Sequence, residues 1–249
     1  MKEVINKQNY YENYGFLDSD LNAMHDHLKS MGLPDDILEM VNEKESANIL
    51  ILGSATTQNL NGVSKIDKYF RPDKVEQDKV IIIDKNFYPL SKHKKDIDWI
   101  EGKDGWTNQP KSTPQFPYPK FELAQADMSQ LPFADHKIDI VISDYTLNFL
   151  DDLNQVDKTF QEISSSLSEN GIALISFRGN EKYPPGQDNQ INNENDKQEH
   201  TLRGGVTVHY FPLTTYFNIA KKYNLEAIKT NSIGTDTFAV FIKKETKKN

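Results

Sequence analysis

Three aspartates in this sequence follow short apolar runs, at the positions where buried strands would end. Asp84 closes VIIID, Asp127 closes FELAQAD, and Asp144 closes IDIVISD. An open α/β sheet binds its ligand at the carboxyl ends of its strands, so we expect these side chains to face a common ligand. One carboxylate can accept both hydrogen bonds of a ribose diol, and another can accept an exocyclic amine. The pattern therefore indicates a nucleoside-shaped ligand, although helix capping is an alternative role for Asp84.

A loop of small residues follows the first apolar run, in the sequence ILILGSATTQNL. Such a loop lets a ligand approach the backbone, where N–H groups can meet a carboxylate or a phosphate. The loop is not a GxGxxG motif, because Gly53 is its only glycine. An ordinary strand-to-helix turn therefore remains an alternative interpretation.

The spacing of apolar residues predicts the elements that must position these groups. Compact apolar runs are typical of strands covered on both faces, as in a parallel sheet. In an amphipathic helix, apolar residues instead recur three or four positions apart. One helix follows the fourth run and is expected to end at Asn170 and Gly171. The predicted strands are 48–52, 79–83, 121–126, 138–143, 172–177, 225–231 and 237–243, and the other predicted helices are 18–31, 34–45 and 212–223.

These elements predict an N-terminal helical cap over residues 1–45 and a single α/β domain over residues 46–249. Two insertions interrupt the domain, at about 88–120 and 179–205. The second is very polar and is predicted to be a mobile loop. Such insertions are either lids over a binding site or disordered segments.

The composition limits the possible partners. The formal charge is −8 and the pI is near 5.3, which disfavours non-specific binding to nucleic acid or to anionic membranes. The chain has no cysteine, so it has no disulfides or thiolate chemistry. No apolar run is long enough for a bilayer span or a signal peptide, and we expect a cytoplasmic protein. The oligomeric state is not indicated.

The stretch ADMSQLPFADHKIDIVIS, followed by FQEISSSLSENGIALISF, resembles the class I S-adenosylmethionine-dependent methyltransferases. The resemblance runs from about residue 48 to residue 243. It implies a doubly wound, mostly parallel seven-stranded sheet, a Rossmann-like fold, with an antiparallel C-terminal hairpin. It also implies S-adenosyl-L-methionine as the cofactor.

The resemblance also implies roles for individual residues. Asp84 would hold the ribose, Asp127 and Met128 the adenine, and Asp144 with Tyr145 would lie near the sulfonium and the substrate. The complete implied cofactor-binding set is Gly53, Ser54, Ala55, Asp84, Lys85, Asp127, Met128, Asp144 and Tyr145.

The first motif departs from the usual family pattern. Ile51 stands where an acidic residue is usual, and Ala55 and Thr57 replace glycines. The loop LGSATTQNL is similar to a divergent branch whose loop reads Leu-Gly-x-Thr-Pro-Glu-Leu. That branch also has an Asp-x-x-Leu-Asn-x-Leu tip, which DYTLNFL matches here. In that branch the hydroxyl of Thr56 or Thr57 would replace glycine N–H contacts.

Methyl transfer mainly requires that the nucleophile be held about 3 Å from the methyl carbon. A general base helps only if the acceptor must lose a proton. The candidates are Asp144, which can equally bind the cofactor's ammonium group, and His209, which can equally be a packed core residue. No cluster of His, Asp and Glu has the spacing of metal ligands, so no metal is expected.

Three functions are compatible with these features. The leading prediction is a methyltransferase acting on a small-molecule acceptor. The alternative is a catalytically silent protein that keeps the fold as a cofactor-binding module or scaffold, because the glycines of the first motif are replaced. A nicotinamide-dependent oxidoreductase would use Asp84 for the ribose, but GxGxxG is missing and the LPF turn is not typical of dehydrogenases.

Overall fold

The computed structural model describes residues 21–53, 60–85, 90, 119–179, 191–192, 197–201, 207–233 and 236–244. The helices in these ranges are α1 Leu21–Met31, α2 Asp35–Asn42, α3 Leu60–Phe70, α4 Leu153–Ser166 and α5 Leu213–Lys222. The strands are β1 Asn48–Leu52, β2 Lys79–Asp84, β3 Lys120–Gln125, β4 Ile138–Asp144, β5 Leu167–Arg178, β6 Ile191–Asn192, β7 Lys197–Thr201, β8 Thr207–Tyr210, β9 Leu225–Ile233 and β10 Asp236–Lys243.

Seven strands form one sheet in the order β3-β2-β1-β4-β5-β10-β9. The strands β1 to β5 pair in parallel, while β10 is antiparallel to both β5 and β9. The predicted doubly wound sheet with a C-terminal antiparallel hairpin is confirmed. Its strand order reverses between β1 and β4, and open sheets of this kind bind ligands at that reversal.

The central strands of the sheet are buried on both faces, because alternate side chains of each strand point to opposite sides and helices cover both sides. In β1, Ile49 and Ile51 pack in a cluster with α1, α2 and α3, whereas Leu50 and Leu52 pack in a second cluster with α4 and α5. The amphipathic helices each bury one face against these clusters. No helix in the described ranges combines the length and the apolar character that a membrane crossing requires.

The end of α4 differs from the prediction. We expected this helix to continue to Asn170 and Gly171, but it ends at Ser166 and β5 begins at once. The reason lies in distant contacts: the amides of His136 and Lys137 donate to the carbonyls of Ser165 and Ser166. Asn170, with φ of 61°, lies within β5, where the pairing with β4 shifts register, rather than at a helix terminus.

The described parts of the second predicted insertion contain strands, so those parts are not a structureless loop. The strands β6, β7 and β8 form a separate three-stranded antiparallel sheet. Its strand β8 contacts the 3-10 turn Thr146–Phe149 that follows β4. The small sheet is therefore placed at the edge where the parallel strands end, which we call the carboxyl edge.

Candidate functional site

The carboxyl ends of β1, β2 and β3 are joined by backbone hydrogen bonds. The amide of Gly53 donates to the carbonyl of Ile83 (2.9 Å), and the amide of Ala126 donates to the carbonyl of Asp84 (3.1 Å). Asp84 is the last residue of β2 and is only 7% exposed. These contacts place Gly53, Asp84 and Asp127 at the ends of three adjacent strands, as the sequence predicted.

Gly53 has a left-handed backbone conformation, with φ of +78°. A Cβ atom at this position would lie 2.5 Å from Cγ2 and 2.6 Å from Oγ1 of Thr146. The hydroxyl of Thr146 donates to the carbonyl of Leu52 at 2.8 Å. Glycine therefore allows the tip after β4 to touch the end of β1, across the point where the strand order reverses.

The carboxylate of Asp127 is held in its ionised form. Its Oδ1 accepts hydrogen bonds from the amide (2.9 Å) and the hydroxyl (2.8 Å) of Ser129, and its Oδ2 lies 2.9 Å from Nζ of Lys85. Partial burial acts to raise the pKa of Asp127, but the hydrogen bonds from Lys85 and Ser129 outweigh it and hold the pKa at about 2. The same contact raises the pKa of Lys85. Asp127 is thus purely an acceptor at neutral pH, as binding an exocyclic amine requires.

Asp144 and Tyr145 form the tip after β4. Asp144 is 4% exposed, and Tyr145 has φ of 52° with its amide donating to the carbonyl of Ser176 (3.0 Å). Burial, together with the negative charges of Asp236 and Asp144, raises the pKa of Tyr145 well above its ordinary value. The guanidinium carbon of Arg178 lies 5.9 Å from the centroid of the tyrosine ring. The phenol therefore stays protonated at neutral pH.

Asn148 connects this tip to two other elements. Its Nδ2 donates to the carbonyls of His209 (2.9 Å) and Arg178 (3.1 Å), and its Oδ1 accepts the amide of Arg178 (2.9 Å). These bonds hold β8 beside the carboxyl ends of β4 and β5. His209, a candidate base, is therefore located at the same edge of the sheet as Asp144, the other candidate.

The ring of His209 lies between two carboxylates. Its Nδ1 is 3.4 Å from Oε1 of Glu199, which is directly opposite His209 in the ladder between β7 and β8. Its Nε2 is 3.8 Å from Oδ1 of Asp151. The His209 side chain is 7% exposed, whereas the side chains of Glu199 and Asp151 are 43% and 74% exposed.

Part of the predicted site cannot be described. Ser54, Ala55, Thr56 and Thr57 lie outside the described residues, so their contacts with the methionine part of a cofactor stay a prediction. Met128 is partly buried against the core cluster on the α4 side of the sheet. Among the described side chains, no group of three or more His, Asp or Glu is placed to hold a metal ion.

Sequence reasoning missed several residues that build this edge. Thr146 and Asn148 were inside the DYTLNFL motif, but their roles depend on contacts with β1, β5 and β8, which are remote in sequence. Glu199 lay in the insertion that was predicted to be mobile. A partial signal existed in the alternation of TVHY, which is typical of a strand and places His209 on one face of it.

The hydrogen-bond acceptors among the described residues match the donors of a nucleoside. An anionic acceptor at Asp127 and a nearly buried carboxylate at Asp84 suit an amine and a diol, respectively. Asp84 ends β2 and Asp127 follows β3, both on one side of the reversal point between β1 and β4, and Asp144 ends β4 on its other side.

Comparison with known proteins supports the same doubly wound fold. Residues 97–175 match a family model described as a methyltransferase domain, and no curated protein matches the chain. A protein from Pyrococcus horikoshii OT3 has a TM-score of 0.63 at 14% identity, covering 95% of this chain and 99% of that one. A methyltransferase from Methanosarcina mazei, described as S-adenosylmethionine-dependent, has a TM-score of 0.59 at 15% identity, covering 87% and 100%.

A third similar structure contains ligands. It is 1,6-didemethyltoxoflavin-N1-methyltransferase from Burkholderia thailandensis, solved with bound 1,6-didemethyltoxoflavin and S-adenosylhomocysteine. Its TM-score is 0.54 at 10% identity, covering 96% of this chain and 84% of that one.

The resemblance inferred from the sequence is thus supported: the chain has the fold of class I S-adenosylmethionine-dependent methyltransferases, and residues 97–175 match a methyltransferase domain model. The family match covers less than half of the chain, and the fold similarity covers most of it. Both support S-adenosylmethionine as the cofactor.

Proposed function

We propose that this protein transfers a methyl group from S-adenosylmethionine to a small-molecule acceptor. The observation that carries the proposal is the convergence of Gly53, Asp84, Asp127 and Asp144 at the ends of four adjacent strands, where the strand order reverses. Ligands bind at this point in doubly wound sheets.

Each polar group has a role in the proposal. Asp84 accepts the ribose hydroxyls, and Asp127 accepts the adenine amine while Met128 packs on the ring. Lys85 keeps Asp127 ionised through their 2.9 Å contact. Asp144 binds the ammonium group of the methionine part, and Tyr145 lies beside it. The cofactor supplies a methyl group on a positively charged sulfur, and the protein supplies orientation.

The choice of a small acceptor rests on charge and on one neighbour. The formal charge of −8 opposes the approach of polyanions such as RNA. The Burkholderia thailandensis neighbour binds a small molecule beside S-adenosylhomocysteine. The proposal includes a cytoplasmic location, which agrees with the absence of cysteine.

Calorimetric titration with S-adenosylmethionine and S-adenosylhomocysteine tests the cofactor site. We expect micromolar binding by the intact protein and an affinity roughly 10–100-fold lower in Asp84→Ala, because a hydrogen bond to a charged group contributes about 1.5–3 kcal/mol. Asp26→Ala is the matched control, since the Asp26 side chain is 80% exposed on α1. It should bind like the intact protein.

Two outcomes would contradict the proposal in different ways. Failure of the intact protein to bind either ligand would reject the cofactor site itself. Tight binding without formation of S-adenosylhomocysteine, across a broad set of small acceptors, would instead favour the catalytically silent alternative.

A further inference from the structure

The ion pair between Lys85 and Asp127 joins the ends of two adjacent strands at the carboxyl edge. Lys85 directly follows β2, Asp127 lies just beyond β3, and Nζ of Lys85 is 2.9 Å from Oδ2 of Asp127. The negative charge of Asp151, which follows the turn after β4, also raises the pKa of Lys85. The ammonium therefore lies over the edge where the proposed cofactor binds, beside the carboxylate assigned to the adenine amine.

The contacts of the Asp127 carboxylate restrict where a ligand can bind to it. An ionised carboxylate has two oxygens with about four lone-pair directions in total. Ser129 uses both directions of Oδ1, through its amide (2.9 Å) and its hydroxyl (2.8 Å). Among the contacts between described residues, Oδ2 accepts from Lys85, so its second direction is open to a ligand. A donor that binds Asp127 must therefore bind at Oδ2, next to the Lys85 ammonium.

Folding stability and the charge of Asp127 do not account fully for Lys85. The Lys85 side chain is 75% exposed, and exposed ion pairs contribute little to folding stability. An aspartate ordinarily titrates at about pH 4, so Asp127 is ionised at neutral pH with a wide margin. The ammonium therefore has the capacity to contact a ligand in addition to Asp127.

The pair presents a hydrogen-bond acceptor and a hydrogen-bond donor side by side. Adenine has the complementary pattern, because its exocyclic amine donates while the neighbouring ring nitrogens N1 and N7 accept. Asn and Gln side chains recognise adenine in DNA through the same combination, in which one amide contacts the exocyclic amine and N7. Hypoxanthine has a carbonyl oxygen in place of the amine, so in the same position it would set one acceptor against another at Oδ2.

We infer that Lys85 is a specificity-determining residue of the cofactor site: its ammonium donates a hydrogen bond to N1 or N7 of adenine, while Oδ2 of Asp127 accepts one from the exocyclic amine. The inference rests on the proposed function, in which Asp84 holds the ribose and Asp127 the adenine. It gives Lys85 a direct contact with the base, so that the ion pair as a whole selects adenine over other purines.

Calorimetry with four ligands tests this contact without any methyl acceptor. The ligands are S-adenosylhomocysteine, its 1-deaza and 7-deaza analogues, in which a C–H group replaces one ring nitrogen, and S-inosylhomocysteine. The intact protein should bind one deaza analogue about 5–20-fold more weakly than S-adenosylhomocysteine, because a charged but largely exposed hydrogen bond is lost. The analogue affected identifies the nitrogen. S-inosylhomocysteine should bind about 10–100-fold more weakly, because its oxygen faces Asp127.

Substitutions of Lys85 then show whether this side chain is the donor. Lys85→Met removes the donor but keeps an unbranched side chain, so the affinity ratio between S-adenosylhomocysteine and the affected deaza analogue should fall close to 1. The preference over S-inosylhomocysteine should persist in this variant, because Asp127 is unchanged. Lys85→Arg keeps a donor and should retain part of the ratio for the deaza analogue.

Lys79→Met is the matched control. Lys79 makes the same kind of ion pair between β2 and β3, with its Nζ 2.8 Å from Oε2 of Glu122, but it lies at the opposite end of β2. If the ratio depends on the ligand contact of Lys85, Lys79→Met should show the same ratio as the intact protein.

The inference and the proposed function fail separately. Equal affinities of the intact protein for S-adenosylhomocysteine and both deaza analogues would overturn the inference alone. So would an unchanged ratio in Lys85→Met, or an equal loss of the ratio in Lys79→Met. Absence of S-adenosylhomocysteine binding by the intact protein would reject the proposed function and the inference together.

Discussion

Gly53 is the residue on which the contact between β1 and the β4 tip depends. Its φ of +78° lies in the region that side chains disfavour, and the Thr146 side chain occupies the space that a Cβ would need. Most glycines of the family's usual first motif are replaced in this chain, but this one is kept at the position where a steric reason is visible.

Gly53→Ala should therefore be more harmful than an alanine at another left-handed glycine. Gly32 is the matched control, because its φ is +59° and a Cβ there meets nothing within 4 Å. Both substitutions incur backbone strain, but only Gly53→Ala adds a steric clash. We expect its free energy of unfolding in urea to fall by about 1–3 kcal/mol more than that of Gly32→Ala.

A second substitution separates the clash from other effects. Thr146→Ala removes Cγ2 and Oγ1, the two atoms nearest to the added Cβ. Gly53→Ala should cost less in that background than in the intact protein, measured as a double-mutant cycle. Equal costs in both backgrounds would show that contact with Thr146 is not the reason for glycine.

At the level of elements, one amide side chain fastens the small sheet to the large one. Asn148 makes hydrogen bonds with backbone groups of both β5 and β8, and it is 3% exposed. Because buried backbone groups need partners, removal of this amide leaves two carbonyls and one N–H without it. The position of His209 relative to the β4 tip therefore depends on Asn148.

Asn148→Ala should lower the free energy of unfolding by about 2–4 kcal/mol, since each buried polar group left unsatisfied costs about 1–3 kcal/mol. Hydrogen exchange should rise in β8, over Thr207–Tyr210, while β1 stays protected. Asn231→Ala is the control, because the Asn231 side chain contacts His27 on α1 rather than β5 or β8. Unchanged exchange in β8 would contradict the fastening role.

The centre of the large sheet could be predicted from the sequence because β1, β2 and β4 are short apolar runs buried on both faces. In β4 every residue is buried, and the run IDIVIS signals this directly. The helix α3 was not predicted, and the end of α4 was misplaced because hydrogen bonds from His136 and Lys137, not local sequence, end that helix. Elements with a clear local hydrophobic pattern were predicted, whereas an element boundary set by hydrogen bonds from distant residues was not.

The same division applies to the site. The sequence indicated Gly53, Asp84, Asp127 and Asp144, because strand ends and carboxylates are visible in a linear pattern. It did not indicate Glu199 as the partner of His209, because their pairing depends on the register between β7 and β8. It also did not indicate that Lys85 would pair with Asp127 across the ends of two strands.

At the scale of the whole molecule, a buried ionic cluster lies at the edge of the sheet opposite the site. Arg71 donates to Asp78 at 2.6 Å and to the carbonyls of Val41 (2.7 Å) and Glu45 (3.1 Å), so it ties α2 and α3 to the start of β2. Asp67 is fully buried nearby. Burial and the neighbouring Asp78 carboxylate raise the pKa of Asp67 to about 8.

This raised pKa makes global stability depend on pH. Asp67 titrates near pH 4 in the unfolded chain and near pH 8 in the folded one, so between these values the folded state binds one more proton. The free energy of unfolding should therefore fall as pH rises from about 4 to 8, by up to about 1.4 kcal/mol per pH unit from this group.

Asp67→Asn cannot ionise, so its urea stability should exceed that of the intact protein at pH 8 and approach it at pH 5. Asp73→Asn, on an exposed side chain of the next turn, should keep the original slope. If Asp67→Asn also keeps that slope, Asp67 is not the group that couples folding to pH.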